Sequence, residues 1–341
     1  MKFFKSTATV LLACLLTVAF VDLASAQAEE YRQAVQAFNK AREHAQNNEF
    51  EQAINMYNQA MSLAEKSGEQ GEDIIERTRN LIPQIYYQLA VQKYKNFQKN
   101  KNLTSLNEAI TAFQEASDVG SEYDQNSVME KSGQIVTQLY YTRSVIEFKS
   151  QQYESALASL DQAINRNSNY VKAYYQKGLV VKNMDDGSLE RALKFFDQAI
   201  EVGQNTNDNT TVRQAREKAS GELIYHAVQA KDNRNYDRAV DLLNRALEYQ
   251  ESADAYYRLA EVHNKRTNWN QSIEYARQAL ELERGGRTEK AKIYFELGMA
   301  LKAQGNKSQS CDAFSNAAYG SFKSPAEHQM EYELKCESST R

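Results

Sequence analysis

One figure recurs along this chain in register: a large residue, a small one four positions on, an Ala or Ser about twelve further, then a bulky residue at +4 and Ala at +7. The copy without insertion runs Tyr256, Ala260, Ser272, Ala276 and Ala279, and the next runs Tyr294, Gly298, Ser310, Phe314 and Ala317. Upstream lie Leu223, Ala227, Ala239, Leu243, Ala246 and, with a two-residue insertion, Tyr174, Gly178, Ala192, Phe196, Ala199. Two further copies are Tyr140, Ser144, Ala156, Leu160, Ala163 and Tyr86, Ala90, Ala109, Phe113, Ala116. The weakest, Ala37, Ala41, Ala53, Tyr57, Ala60, lacks the bulky head.

The physical cause is close helix packing. Where two antiparallel helices approach, almost no side chain fits, and larger residues fill the space around that point. One such pair cannot bury its apolar face alone, so pairs stack. Two Pro and 13 Gly leave little punctuation for β-turns, and a mean hydropathy of -0.70 suits an elongated all-α stack with much exposed surface. The figure resembles the tetratricopeptide repeat over most of residues 30–320. That resemblance implies a right-handed solenoid of about seven antiparallel helix pairs across residues 27–320, most regular from Thr137 onward.

Residues 1–26 read as an export leader. Lys2 and Lys5 precede an apolar stretch from Ala8 to Val21, and Ala24-Ser25-Ala26 forms a small-x-small site before Gln27, the expected first residue of the mature chain. Two alternatives stay open. One is an uncleaved anchor, although the apolar run of about 16 residues falls short of the roughly 20 a spanning helix needs. The other is a lipoprotein, because Leu11-Leu12-Ala13-Cys14 is similar to a lipobox. The cleaved-leader reading leaves no membrane span in the mature chain.

Export leaves Cys311 and Cys336 as an even pair in an oxidising compartment, and their places on consecutive helices make them a disulfide candidate. The loop they would close, about 25 residues, carries roughly 3 kcal/mol of stabilisation. Residues 321–341 lose the repeat pattern but set Ala326, Met330, Tyr332 and Leu334 among Glu and Lys, the signature of a polar-faced capping helix over Pro325–Lys335. Residues 65–80, 117–135 and 202–217 add polar segments between repeats, and 95–103 stretches a turn. All are expected at one edge of the stack. Pro83 is expected to end or kink a helix.

No HExxH, CxxC, GxSxG or glycine-rich phosphate loop occurs. His44, His226 and His263 fall at packing positions, His328 in the solvated cap, and Asp185-Asp186 in a turn. Neither a cofactor nor a catalytic or metal site is expected. A formal charge of -4 without clustered Lys or Arg argues against nucleic acid as a partner.

The resemblance implies where a partner would lie. In tetratricopeptide arrays the residue after the head of the first helix, and those four and seven further, line a concave groove. The first set is Tyr87, Tyr141, Tyr175, Ile224, Tyr257 and Phe295; the second is Val91, Val145, Leu179, Val228, Glu261 and Met299; the third is Tyr94, Phe148, Lys182, Lys231, Asn264 and Lys302. The groove would be aromatic and aliphatic at one end and gain Lys toward the other, and it lacks the Lys and Asn clamp that chaperone-binding members use for a terminal carboxylate. Tyr and Phe suit an extended or helical peptide. Tyr is also common at the first place for packing reasons. The reading is therefore an exported, non-enzymatic protein-binding scaffold, with a periplasmic or cell-surface location. The alternative is an envelope glycan- or peptidoglycan-associated binding protein.

Overall fold

The computed structural model describes residues 4–184 and 188–336, with side chains from residue 25 onward. The export-leader reading rests mainly on side chains before that point, Lys2 and Cys14 among them, and lies with Asp185 and Asp186 outside the described residues. Among the described residues every regular element is helical. The chain separates into two compact units, one through Ser168 and one from Asn169.

The first unit holds three antiparallel pairs: α1 (Phe4–Gln46) with α2 (Phe50–Lys66), α3 (Glu72–Asn100) with α4 (Leu103–Glu122), and α5 (Asn126–Lys149) with α6 (Tyr153–Arg166). The second holds four: α7 (Val171–Lys182) with α8 (Leu189–Asn205), α9 (Asn209–Asp232) with α10 (Tyr236–Tyr249), α11 (Ala253–Lys265) with α12 (Trp269–Leu282), and α13 (Arg287–Ala303) with α14 (Lys307–Ala317). In each unit the first helices of successive pairs adjoin, α1 to α3 to α5 and α7 to α9 to α11 to α13.

The recurring small residue does what the spacing demands. A Cβ on Gly178 would stand 2.5 Å from the Phe196 ring, and one on Gly298 would stand 2.9 Å from Phe314. Ser272 and Ser310 sit opposite that small residue and donate to its carbonyl, Ser272 to Ala260 at 3.0 Å and Ser310 to Gly298 at 2.8 Å. Each hydroxyl thus enters a buried seam already satisfied. In the weakest copy Phe38 takes over as the bulky filler, edge-on to Tyr57 at 5.5 Å.

Turns within pairs share one geometry. Asn48, Lys101, Gln151, Arg234, Thr267 and Gly305 have positive φ two positions before the second helix. In all of these except Lys101 the next N–H closes onto a carbonyl of the first helix, as Asn268 does onto His263 at 2.9 Å. Five of the six are not glycine, which hid the turns in the sequence.

The connections between pairs correct the expectation of added edge segments. Residues 117–135 and 202–217 are mostly helix, lengthening α4 and α5, and α8 and α9. Both turns tighten around a glycine whose carbonyl accepts from the residue five ahead, Gln125 onto Gly120 at 2.7 Å and Asp208 onto Gly203 at 2.9 Å, with Asp124 and Asn207 at positive φ. Residues 65–80 hold a short 3-10 turn, Gly68–Gly71, and then α3, which also absorbs most of 95–103. Pro83 does not end a helix: α3 runs through it, with the ring buried.

After α14 the chain makes a 3-10 turn, Gly320–Phe322, a short α15 (Lys323–His328) and a π-helical turn, Gln329–Leu334. This replaces the expected single helix over Pro325–Lys335. Ala326 is buried against Phe314 and Ala317, with Met330 and Leu334 alongside. Cys311 on α14 and Cys336 are paired, their Cα atoms 5.9 Å apart.

Candidate partner-binding face

The first groove column is built largely into the pairs themselves. Tyr87 meets Phe113 at 5.8 Å, Tyr175 meets Phe196 at 5.8 Å, and Phe295 meets Phe314 at 5.5 Å, each ring against the bulky residue of the partner helix. That bulky ring is thus held between an aromatic and the small-residue seam. Tyr257 is only 7% exposed, beneath the Lys292 ammonium at 4.7 Å and the Arg258 guanidinium at 5.1 Å. Burial, with the carboxylates Glu261 and Glu296 adding to it, raises its hydroxyl pKa. Tyr87, Tyr141, Tyr175 and Phe295 are half-buried and keep one side toward solvent.

The other two columns divide the molecule chemically. In the first unit Val91, Tyr94, Val145 and Phe148 are uncharged and half-buried. Val91 and Tyr94 also lean on the α3–α4–α5 core, Tyr94 lying 6.1 Å from Phe97 and 6.5 Å from Phe113. Phe148 meets Tyr153 at 5.9 Å. These rings are therefore seated on the core, with part of each exposed.

In the second unit the third column is spent on the next repeat or, at Lys302, on the cap. Lys182 Nζ lies 2.5 Å from Glu222, Lys231 Nζ lies 2.6 Å from Glu261, and Asn264 Nδ2 donates to Glu296 at 2.7 Å. Lys302 Nζ donates to Gln329 at 2.7 Å and lies 3.1 Å from Glu333. Burial alone would lower the Lys231 pKa; its bond to Glu261, with that charge and Asp232, outweighs burial and raises it. The expected gain of Lys along the groove is present in the sequence but neutralised in place. Sequence reasoning missed Glu222, Glu296, Gln329 and Glu333, whose only sequence signal is an acidic or amide residue on the following helix. Leu179, Val228 and Met299 remain half-buried between these rungs.

The histidines are packed or solvated. His263 is buried and stacks on Tyr275 at 5.3 Å, His226 lies against Tyr225, and His44 sits 2.6 Å from Glu49. Among the described residues no group of His, Cys, Asp or Glu is placed to hold a metal ion, and no helix is long and apolar enough to cross a membrane.

Paired antiparallel helices, a small-residue seam repeated in register and adjoining first helices define a helical-repeat protein. Residues 37–67, 141–209 and 226–287 match tetratricopeptide repeat families, and the chain is a tetratricopeptide-repeat protein. No curated protein matches it. Among solved structures, MamA is 18% identical with a TM-score of 0.35, covering 58% of this chain and 95% of its own. The C-terminal part of a repeat protein from Cytophaga hutchinsonii is 15% identical, TM-score 0.40, covering 85% and 98%. YrrB, described as having an unusual peptide-binding site, is 21% identical, TM-score 0.32, covering 52% and 87%.

Proposed function

We propose that this chain is an exported, non-enzymatic scaffold that holds a largely apolar partner segment on the inner face of its first unit. The observation that carries the reading is the contrast between the units. Tyr87, Val91, Tyr94, Tyr141, Val145 and Phe148 present uncharged, partly exposed surface, whereas the corresponding polar column of the second unit is occupied by its own neighbours. Stiff aromatic rings seated on a core lose little entropy on contact, which favours peptide recognition. Export and oxidation belong together here: a leader ending before Gln27 would deliver the chain to a compartment where Cys311 and Cys336 form a disulfide.

The test is site-specific photo-crosslinking in the native host. Benzoylphenylalanine at Val145 is expected to yield a discrete protein adduct that the same group at Val228 does not. Equal adducts at both positions, or none at Val145, would move the binding surface elsewhere. N-terminal sequencing of protein recovered from the host addresses the leader separately: Gln27 first supports cleavage there, a lipidated Cys14 makes the chain an exported, membrane-anchored lipoprotein, and Met1 first means the leader is not removed.

A further inference from the structure

The last rung of the second unit is completed by a different kind of element. Lys182, Lys231 and Asn264 each reach a side chain on the first helix of the next pair; after α14 the described chain continues into the cap, and Lys302 reaches Gln329 and Glu333 there instead. The cap thus sits where another first helix would stand. It sits there lightly. Among its described residues Ala326 alone is fully buried, Met330 and Leu334 are half-buried, Tyr332 is 68% exposed, and regular α-helix extends over Lys323–His328. Few buried apolar contacts mean a low local opening free energy. What the cap lacks in packing the cysteine pair supplies: joining residues 25 apart favours the docked state on the order of a hundredfold in a chain-entropy account. Cys311 and Cys336 are both partly exposed, within reach of a reductant.

We propose that the cap is a redox-released lid over the open end of the repeat stack. In the oxidised protein it covers Phe295, Met299, Phe314 and Ala317 and holds Lys302; after reduction it leaves, exposing that apolar end face with Lys302 at its rim. The step is thiol–disulfide exchange with a dithiol reductant. One thiolate attacks a sulfur of the pair, the Cys311–Cys336 bond breaks as a mixed disulfide forms, and the second thiol resolves it. The two cysteines gain two electrons and two protons, and the dithiol becomes a disulfide. The inference rests on the proposed oxidation of this pair.

The test is hydrogen exchange on the full chain, oxidised and after dithiothreitol, with the thiols titrated in each state. Residues 323–335 are expected to exchange at least about tenfold faster once reduced, while α13 and α14 keep their protection. Cys336→Ser should match the reduced protein without reductant. Unchanged protection of 323–335 in the fully reduced chain would overturn the lid, and so would loss spreading through α14, since the bond would then be stapling the repeat itself. Peptide mapping of protein as isolated from its host keeps the two readings apart: free thiols there reject native oxidation, while the exchange comparison on protein oxidised in vitro still decides the lid.

Discussion

A threonine at φ 60°, Thr267, pays a steric cost at a turn where Gly305 makes the same bend freely. Thr267→Gly is expected to raise stability by about 1 kcal/mol in urea unfolding, the left-handed strain outweighing the added freedom of the unfolded chain. The reverse holds in the seam: Gly298→Ala puts a methyl 2.9 Å from the Phe314 ring and should lower stability by about 1–3 kcal/mol. His263 supplies a pH dependence. Burial first, and the Arg266 charge second, hold its pKa below 6.5, so the unfolded chain takes up the proton first as pH falls. Stability from the neutral ring is full above 6.5 and declines as pH drops toward the folded value. His263→Leu, copying Leu301 of the next repeat, should flatten the stability profile between about pH 7 and 5; an unchanged slope would assign it to other groups. The seam was legible in the sequence because it depends on residue size at fixed spacing. The turns were not, because nothing in Thr267 or Arg234 announces positive φ.

Helices α3, α4, α5, α8 and α9 run beyond the repeat figure, and successive first helices of the second unit are tied sideways by rungs the sequence did not reveal. The partners Lys182–Glu222, Lys231–Glu261 and Asn264–Glu296 stand 30 to 40 residues apart, so only the fold brings them together; the lysines themselves were readable, their neutralisation was not. Glu296 is the weak member. Burial, with Glu261 adding to it, raises its pKa above 4.5 against the pull of the Asn264 bond and two lysines. The folded state therefore keeps this proton longer than the unfolded chain, and its contribution, present below 4.5, is lost as pH rises through the folded value. Glu296→Gln keeps an acceptor for Asn264 and removes the charge. Stability at pH 7 should rise by about 1 kcal/mol and the gap should close near pH 4; a gap that widens on acidification would refute the account.

Taken as a whole, the molecule separates an uncharged face from a self-paired one, and ionic strength distinguishes them. If the partner lies on the first unit, its affinity should change less than about threefold between roughly 50 and 500 mM salt, measured by calorimetry once the crosslinked partner is in hand. Binding through the lysines of the second unit would require breaking rungs and would weaken steeply with salt. The location of that face was half legible: the three columns were placed by resemblance, and the exposure that ranks them depends on side chains the figure does not encode, such as Arg258 and Lys292 covering Tyr257.

The twin glycine turns also set the same framework twice. One increment superimposes Gly120 on Gly203, Asp124 on Asn207 and Gln151 on Arg234, and with the same shift both ends of α5 fall on those of α9 and both ends of α6 on those of α10. Each unit therefore carries one copy of the same long-helix hairpin, entered through the same glycine turn. With Ser144 and Glu147 in one hairpin standing where Ala227 and Ala230 stand in the other, all four buried, the same backbone framework closes over a polar interior in one unit and an apolar one in the next.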